Sequence, residues 1–261
     1  MNKVNYHTHT YRCGHAVGTE LDYLNAALEN NLTILGFSDH APYPDDRLNP
    51  NKDTRMDYSE LQDYIDTIKY LQLRYKNKIK ILLGLEIEYD ELMSGYYNYL
   101  LNYLSLDYLI LGQHVFLSKG ELLHTFSLDS TDSYIDYALS ISKALETDFF
   151  KFLAHPDLIF INNLPWDENC DKACDILLET ALKHNTILEL NANGFRKGVL
   201  SFPDIDRYPY PHNKFWERVA KTNLRVIINS DCHDPKFMWD LSIDQAYEYA
   251  KKLGLNIIYE L

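Results

Sequence analysis

Seven short apolar runs of β-strand character punctuate this chain, and amphipathic segments of helical spacing fill most of the intervals between them. The runs cover Val4–His9, Thr33–Ser38, Ile79–Glu86, Tyr108–Leu111, Phe152–Ala154, Ile187–Leu190 and Arg225–Asn229, with Ile257–Tyr259 as a short final addition. Glu20–Asn30 carries Leu21, Leu24, Ala27 and Leu28 on one stripe, and Tyr58–Lys76 does the same with Leu61, Tyr64, Ile65, Ile68 and Leu71. Further helices are predicted over Ser133–Glu146, Cys170–Lys183, Lys214–Thr222 and Ser242–Leu253. Alternating β and α units call for a parallel sheet with crossover helices. With no Gly/Ser linker, low-complexity tract or internal repeat beyond this rhythm, the expectation is a single α/β domain over residues 1–261 whose sheet closes into a barrel.

In such a barrel the C-terminal ends of all strands converge on one face, where active sites are built. The residues at those ends are of one chemical kind. V-N-Y-H-T-H-T places His7 and His9 at the end of the first run, and His15 follows closely. His40 comes in S-D-H after the second, Glu86 in G-L-E-I-E-Y after the third, His114 in G-Q-H-V after the fourth and His155 in A-H-P after the fifth. Asp231 and His233 follow the seventh in N-S-D-C-H. Residues two apart on an extended strand point the same way, so both imidazoles of H-T-H can reach one ion; by the same rule Glu88 competes with Glu86.

Imidazole suits zinc, iron and manganese, and carboxylates bridge ions and balance their charge. A tetrahedral zinc needs four ligands, fewer than the nine candidates here. Two or three ions sharing Glu86, with Asp231 as a further candidate bridge, would use the whole set. After the sixth run, Asn191, Asn193, Arg196 and Lys197 would meet the same pocket. His124, in the long stretch after the fourth run, is a candidate for the pocket mouth. His184 ends a helical run, where a cation suits the helix C-terminus, and His212 precedes a helix; both read as structural.

The charge balance narrows the partners. Lys and Arg number 25 against 38 Asp and Glu, a formal charge of −13, which disfavours a nucleic acid held by a broad basic surface. A small anionic substrate remains compatible, because bound divalent ions reverse the local field. Polar residues interrupt any apolar stretch at the N-terminus, and no run approaches the roughly 18 apolar residues of a membrane span. Cys13, Cys170, Cys174 and Cys232 do not form a disulfide framework by their spacing, so the expected compartment is the cytoplasm. The 21 tyrosines are expected to pack rather than to stack on a ligand.

H-T-H-T, C-G-H, S-D-H, G-L-E-I-E-Y, G-Q-H, A-H-P-D and S-D-C-H, in order from residue 7 to residue 233, resemble the motifs of the PHP (polymerase and histidinol phosphatase) family. H-T-H-T-Y-R-C-G-H, S-D-H-A-P-Y-P, R-M-D-Y-S-E-L and A-N-G-F-R-K-G look most like its stand-alone L-histidinol-phosphate phosphatases. The resemblance implies a distorted (β/α)7 TIM-like barrel with three divalent ions. By analogy His7, His9, Glu86 and Asp231 would hold one ion, Glu86, His114 and His155 a second, and His15, His40 and His233 the third. Arg196 resembles a family arginine that binds substrate phosphate. Phe160 stands where many relatives carry a basic residue, so a second phosphate-binding cation would come from Arg55 or Lys197.

The activity that the resemblance implies is a metal-dependent hydrolysis of L-histidinol phosphate to L-histidinol and phosphate, a step of histidine biosynthesis. Hydroxide held between two ions would attack phosphorus in line with the leaving oxygen, with Glu86, Asp231, His233 and Arg196 as the catalytic candidates. Arg196, Lys197, Arg55 and His124 are the candidate substrate contacts. The alternative is the same site acting on another phosphomonoester or on a nucleotide phosphodiester, which the acidic balance disfavours. A non-catalytic, polymerase-associated module ranks last, because the ligand set is intact and no polymerase segment is present.

Overall fold

The structure is a computed structural model, and it describes residues 2–45, 48 and 52–261. The β and α elements alternate as the patterning predicts. The first half runs β1 (Val4–Asn5), α1 (Glu20–Glu29), β2 (Ile34–Phe37), α2 (Leu61–Tyr75), β3 (Lys80–Ile87), α3 (Ser94–Asn98) and β4 (Tyr108–Leu111). A hairpin of β5 (Val115–Ser118) and β6 (Glu121–His124) follows, then α4 (Tyr134–Leu145) and α5 (Glu168–Lys183). The remainder is β7 (Leu188–Asn191), α6 (Asn193–Arg196), a small hairpin of β8 (Leu200–Ser201) and β9 (Asp206–Arg207), α7 (Asn213–Val219), β10 (Arg225–Asn229), α8 (Leu241–Leu253) and β11 (Asn256–Ile257).

The helix ends follow their capping residues. Thr19 and Asp22 form a reciprocal capping box on α1, Asp167 caps α5 and Asp240 caps α8, which stops at Gly254 in the left-handed region (φ 73°). His184 is the C-terminal cap residue of α5, and His212 caps α7 by accepting from the Lys214 N–H.

β1 to β4 form one parallel sheet in sequence order, and β7, β10 and β11 form another with β10 in the middle. Single bridges extend both: Leu153 pairs with Leu111 and with Leu188, and Thr8 pairs with Cys232. The result is an α/β fold with a curled parallel sheet. The first and fifth runs are shorter as ladders than their composition predicts. Beyond Asn5 three backbone donors turn to side chains, Tyr6 N to Asn229 Oδ1, Thr8 N to Ser38 Oγ and Thr10 N to Asp39 Oδ1, while His9 N keeps a backbone partner in the Cys232 carbonyl. His7 and His9 therefore stand in an extended segment held by polar side chains, not in a regular strand.

Tyrosine fills the interior. Tyr108 is buried with its hydroxyl 2.7 Å from the Tyr6 carbonyl and 2.9 Å from that of Phe37. Gly36 and Gly84 make the space: a Cβ on either would meet the Tyr108 ring or hydroxyl at 2.3 and 2.5 Å. Tyr6, Tyr23, Tyr64, Tyr97, Tyr134 and Tyr137 are likewise fully buried, in line with a packing role. In the Y-Y-N-Y stretch Tyr97 packs inward while Tyr99 and Tyr103 stack on each other at the surface.

Candidate metal centre

Glu86, near the C-terminal end of β3, is buried and surrounded by histidines. Its Oε2 lies 3.2 Å from His7 Nε2, 3.4 Å from His9 Nε2 and 3.2 Å from His40 Nδ1. Its Oε1 faces the other way, 2.8 Å from His155 Nε2 and 3.5 Å from His114 Nε2. Asp231 lies 3.2 Å from His9 Nε2 and 3.6 Å from His7 Nε2. His15, His40 and His233 bring ring nitrogens together in a further group. All nine candidates thus converge, and Glu88 does not join them: it pairs with Arg55 and accepts from His114 Nδ1 at 3.1 Å.

Hydrogen bonds to the outer ring nitrogens set the tautomers. His7 Nδ1 faces Glu189 at 2.9 Å, His114 Nδ1 faces Glu88, His15 Nδ1 faces the Cys13 carbonyl at 2.9 Å and His233 Nδ1 faces the Asp231 carbonyl at 3.2 Å. A carboxylate or carbonyl oxygen only accepts, so each Nδ1 carries a proton, and Nε2 is the nitrogen left to bind a cation once any second proton is displaced. His7 Nε2, His9 Nε2, His233 Nε2 and Glu86 Oε2 are buried without a hydrogen-bond partner. Buried polar atoms without partners are costly, and here they converge; divalent metal is the ligand that such a donor set fits.

The electrostatics are those of mutually dependent groups. Burial opposes charge on His7, yet Glu189, Asp231 and Glu86 outweigh it and hold its pKa well above the ordinary value. Burial would raise Glu86 and Asp231, but the histidines around them hold both well below the usual carboxylate range. Burial, with His9 beside each, lowers His40 well below the ordinary value and His233 to about 3. A cation able to displace protons from this cluster would meet two ionised carboxylates and neutral imidazoles.

Backbone strain gathers at the same place. Among the described residues few besides glycine take a positive φ, and two of them are candidate ligands, His155 at 29° and Asp231 at 48°. In S-D-H, Asp39 serves the loop instead of the ions, accepting from the Thr10 N–H at 2.7 Å and from its hydroxyl at 2.8 Å.

A cavity of about 390 Å³ opens on the cluster and is lined by Arg55, His124, Lys197, Asn193, Phe126 and Tyr210, among others. Arg196, expected to hold phosphate, is not among the lining residues: its guanidinium binds the Ser230 carbonyl at 2.6 Å, Ser230 Oγ at 2.7 Å and Asp240 Oδ2 at 2.9 Å. Its neighbour Lys197 lines the cavity instead. Arg55 lines it too, but is neutralised by Glu88 at 3.1 Å. His124 stands at the end of β6, with Nδ1 accepting from the Phe126 N–H at 3.3 Å. Sequence reasoning misses Glu189, whose signal is a charge inside the apolar run I-L-E-L, and treats Glu88 only as a rival ligand.

Known proteins resemble this chain in sequence and in fold. The model of the PHP domain family matches residues 5–193. A protein named "Probable histidinol-phosphatase" from Deinococcus radiodurans is 28% identical over 236 residues, covering 88% of this chain and 85% of its own. The histidinol-phosphatase of Bacillus subtilis is 27% identical over 225 residues, covering 76% and 83%. The crystal structure of histidinol phosphate phosphatase from Lactococcus lactis, complexed with zinc, L-histidinol and phosphate, superimposes with a TM-score of 0.74 at 19% identity, covering 98% of this chain and 95% of that one. This chain belongs to the PHP domain family.

Proposed function

We propose that this protein is a metal-dependent phosphomonoesterase that hydrolyses L-histidinol phosphate to L-histidinol and phosphate. One observation carries the reading: seven histidines, Glu86 and Asp231 converge beside one cavity with a lysine in its wall. Family membership and the names of the relatives support it.

We assign three divalent ions, zinc, iron or manganese, to the cluster. His7, His9, Glu86 and Asp231 would hold one, Glu86, His114 and His155 the second, and His15, His40 and His233 the third. The two-sided surroundings of Glu86 support its role as the bridge, the groupings His7–His9–Asp231 and His15–His40–His233 support two of the sets, and the approach of His155 and His114 to Glu86 Oε1 supports the remaining one. Bound ions supply a water-derived nucleophile at neutral pH and offset the charge of the phosphoryl oxygens. We further read the curled sheet, with its bridges at Leu153 and Thr8, as a distorted (β/α)7 barrel forming one domain over residues 1–261. Four buried free thiols suit a reducing compartment, and we assign the enzyme to the cytoplasm. Among the described residues no helix is long and apolar enough to cross a membrane.

The remaining residues divide the substrate between them. Lys197 supplies the cation for a nonbridging phosphoryl oxygen. Arg196 holds Ser230 and Asp240, and so supports the loop that carries Asp231 and His233. Burial and His9 lower the His233 pKa to about 3, so it would enter as a neutral ligand and not as the imidazolium acid for the leaving alcohol. His124 accepts at Nδ1 from the Phe126 N–H, which leaves its Nε2–H to donate to a ring nitrogen of the substrate. Phe126 lies beside it, with ring centroids 5.3 Å apart, and Tyr210 adds an aromatic ring to the cavity lining. The test is a phosphate-release panel comparing L-histidinol phosphate with generic monoesters and a nucleotide diester. Preference for the diester would overturn the reading.

A further inference from the structure

Glu189 lies within β7, fully buried, and is not among the residues lining the cavity over the cluster. A buried carboxylate needs its lone pairs filled, and this one has four donors within hydrogen-bond distance. Oε1 faces His7 Nδ1 at 2.9 Å and accepts from Asn229 Nδ2 at 2.9 Å. Oε2 accepts from the His155 backbone N–H at 3.1 Å and from Asn191 Nδ2 at 2.9 Å. The same Asn191 amide reaches Asp231 Oδ2 at 3.1 Å, and Asn229 accepts the Tyr6 N–H at 2.8 Å, next to His7.

We propose that Glu189 is a positioning residue of the metal centre, holding His7, His155 and Asp231 in register from beneath the ions. This role rests on the proposed metal site. Glu189 places the His7 proton on Nδ1 and turns the Nε2 lone pair toward Glu86 and Asp231. It also ties down the backbone of His155, a residue with φ of 29°, where a side chain costs strain unless its neighbours hold it. Through Asn191 it steadies Asp231, the other strained ligand. Three ligands from separate strand ends thus share one buried anion that itself binds no ion.

Glu189→Gln is the discriminating variant. It keeps the shape but turns one acceptor oxygen into an NH2 donor among donors, and it removes the charge that fixes His7. On the full-length protein, zinc affinity measured by competition with a chromogenic chelator is expected to fall about 10–100-fold, with a native far-UV circular dichroism spectrum. A folded variant binding zinc within about threefold of wild type would overturn the proposal. A second readout needs no variant: in zinc-loaded wild type, nitrogen NMR should find the His7 proton on Nδ1, and a proton on Nε2 instead would equally overturn it. Wild type that binds no divalent ion would remove the metal-site reading itself. Normal wild-type binding with an indifferent Glu189→Gln removes only the role of Glu189.

Discussion

Gly112 lies against the Glu86 carboxylate so closely that a Cβ there would stand 2.0 Å from Oε1 and 2.6 Å from the carboxyl carbon. The backbone after β4 thus forms the wall that holds the Glu86 carboxylate in place. Gly112→Ala must displace Glu86, because 2.0 Å is far inside van der Waals contact. Metal content should fall and kcat/KM should drop about 10–100-fold, the range for disturbing a ligand's support. Normal metal content and turnover would mean that the wall yields.

Glu86→Gln tests the bridge directly. Elemental analysis of wild type is expected to find more than one equivalent of metal, and the variant should hold fewer. A single ion, unaffected by the substitution, is the result that dismisses bridging.

Arg196 and Lys197 separate support from contact. Arg196→Ala removes charge-assisted hydrogen bonds to Ser230 and Asp240 and should cost about 1.5–3 kcal/mol of stability, seen as a lower Tm. Lys197→Ala, at an exposed position on the cavity wall, should leave Tm near wild type and raise KM about tenfold, or about 1.4 kcal/mol. The reverse pattern would return the phosphate contact to Arg196.

His124→Phe should lower the preference for a substrate with a ring acceptor. The ratio of kcat/KM for L-histidinol phosphate to that for its phenyl-ring analogue is expected to fall about tenfold, the worth of one hydrogen bond. An unaltered ratio assigns His124 to the architecture of the β5–β6 hairpin.

His212 gives a pH dependence of known sign. Burial first, then Arg207 and Lys214, lower its pKa from an ordinary 6.5 to about 3. Below pH 6.5 the unfolded chain takes up a proton that the folded chain refuses, so stability falls as pH drops toward 3. The slope is at most about 1.4 kcal/mol per pH unit. His212→Asn keeps an acceptor for the Lys214 N–H and cannot titrate, so its stability measured with chelator present should fall less steeply across that window. Parallel profiles for the two proteins would show that His212 does not contribute.

Much of the site was legible because ligand chemistry restricts residue type and the β/α rhythm restricts position. His7, His9, His40, Glu86, His114, His155 and Asp231 follow apolar runs, and the period of those runs alone places them at one end of a sheet. Arg196 shows the limit. Its place beside Lys197 in a loop at that end was readable, but α6 turns the two side chains to different partners, one to Ser230 and Asp240 and one to the cavity. Nor could spacing separate Glu86 from Glu88, two residues apart on one strand. Arg55 and Tyr43 draw Glu88 to themselves, Tyr43 through a 2.5 Å hydrogen bond.

The sequence by itself determined the β/α rhythm, the candidate ligands at the strand ends and the family motifs, since these depend on local periodicity and on the chemistry of single residues. Only the tertiary structure decided which nitrogen of each histidine faces inward, that Glu86 lies among the histidines while Glu88 pairs with Arg55, and that Glu189 lies against His7 and His155. Those outcomes depend on donors and acceptors that meet from separate parts of the chain, as when Asn229 reaches Tyr6 and Asn191 reaches Asp231. Hydrogen-bond partners are settled by distances of a few tenths of an ångström, and no pattern along the chain encodes those.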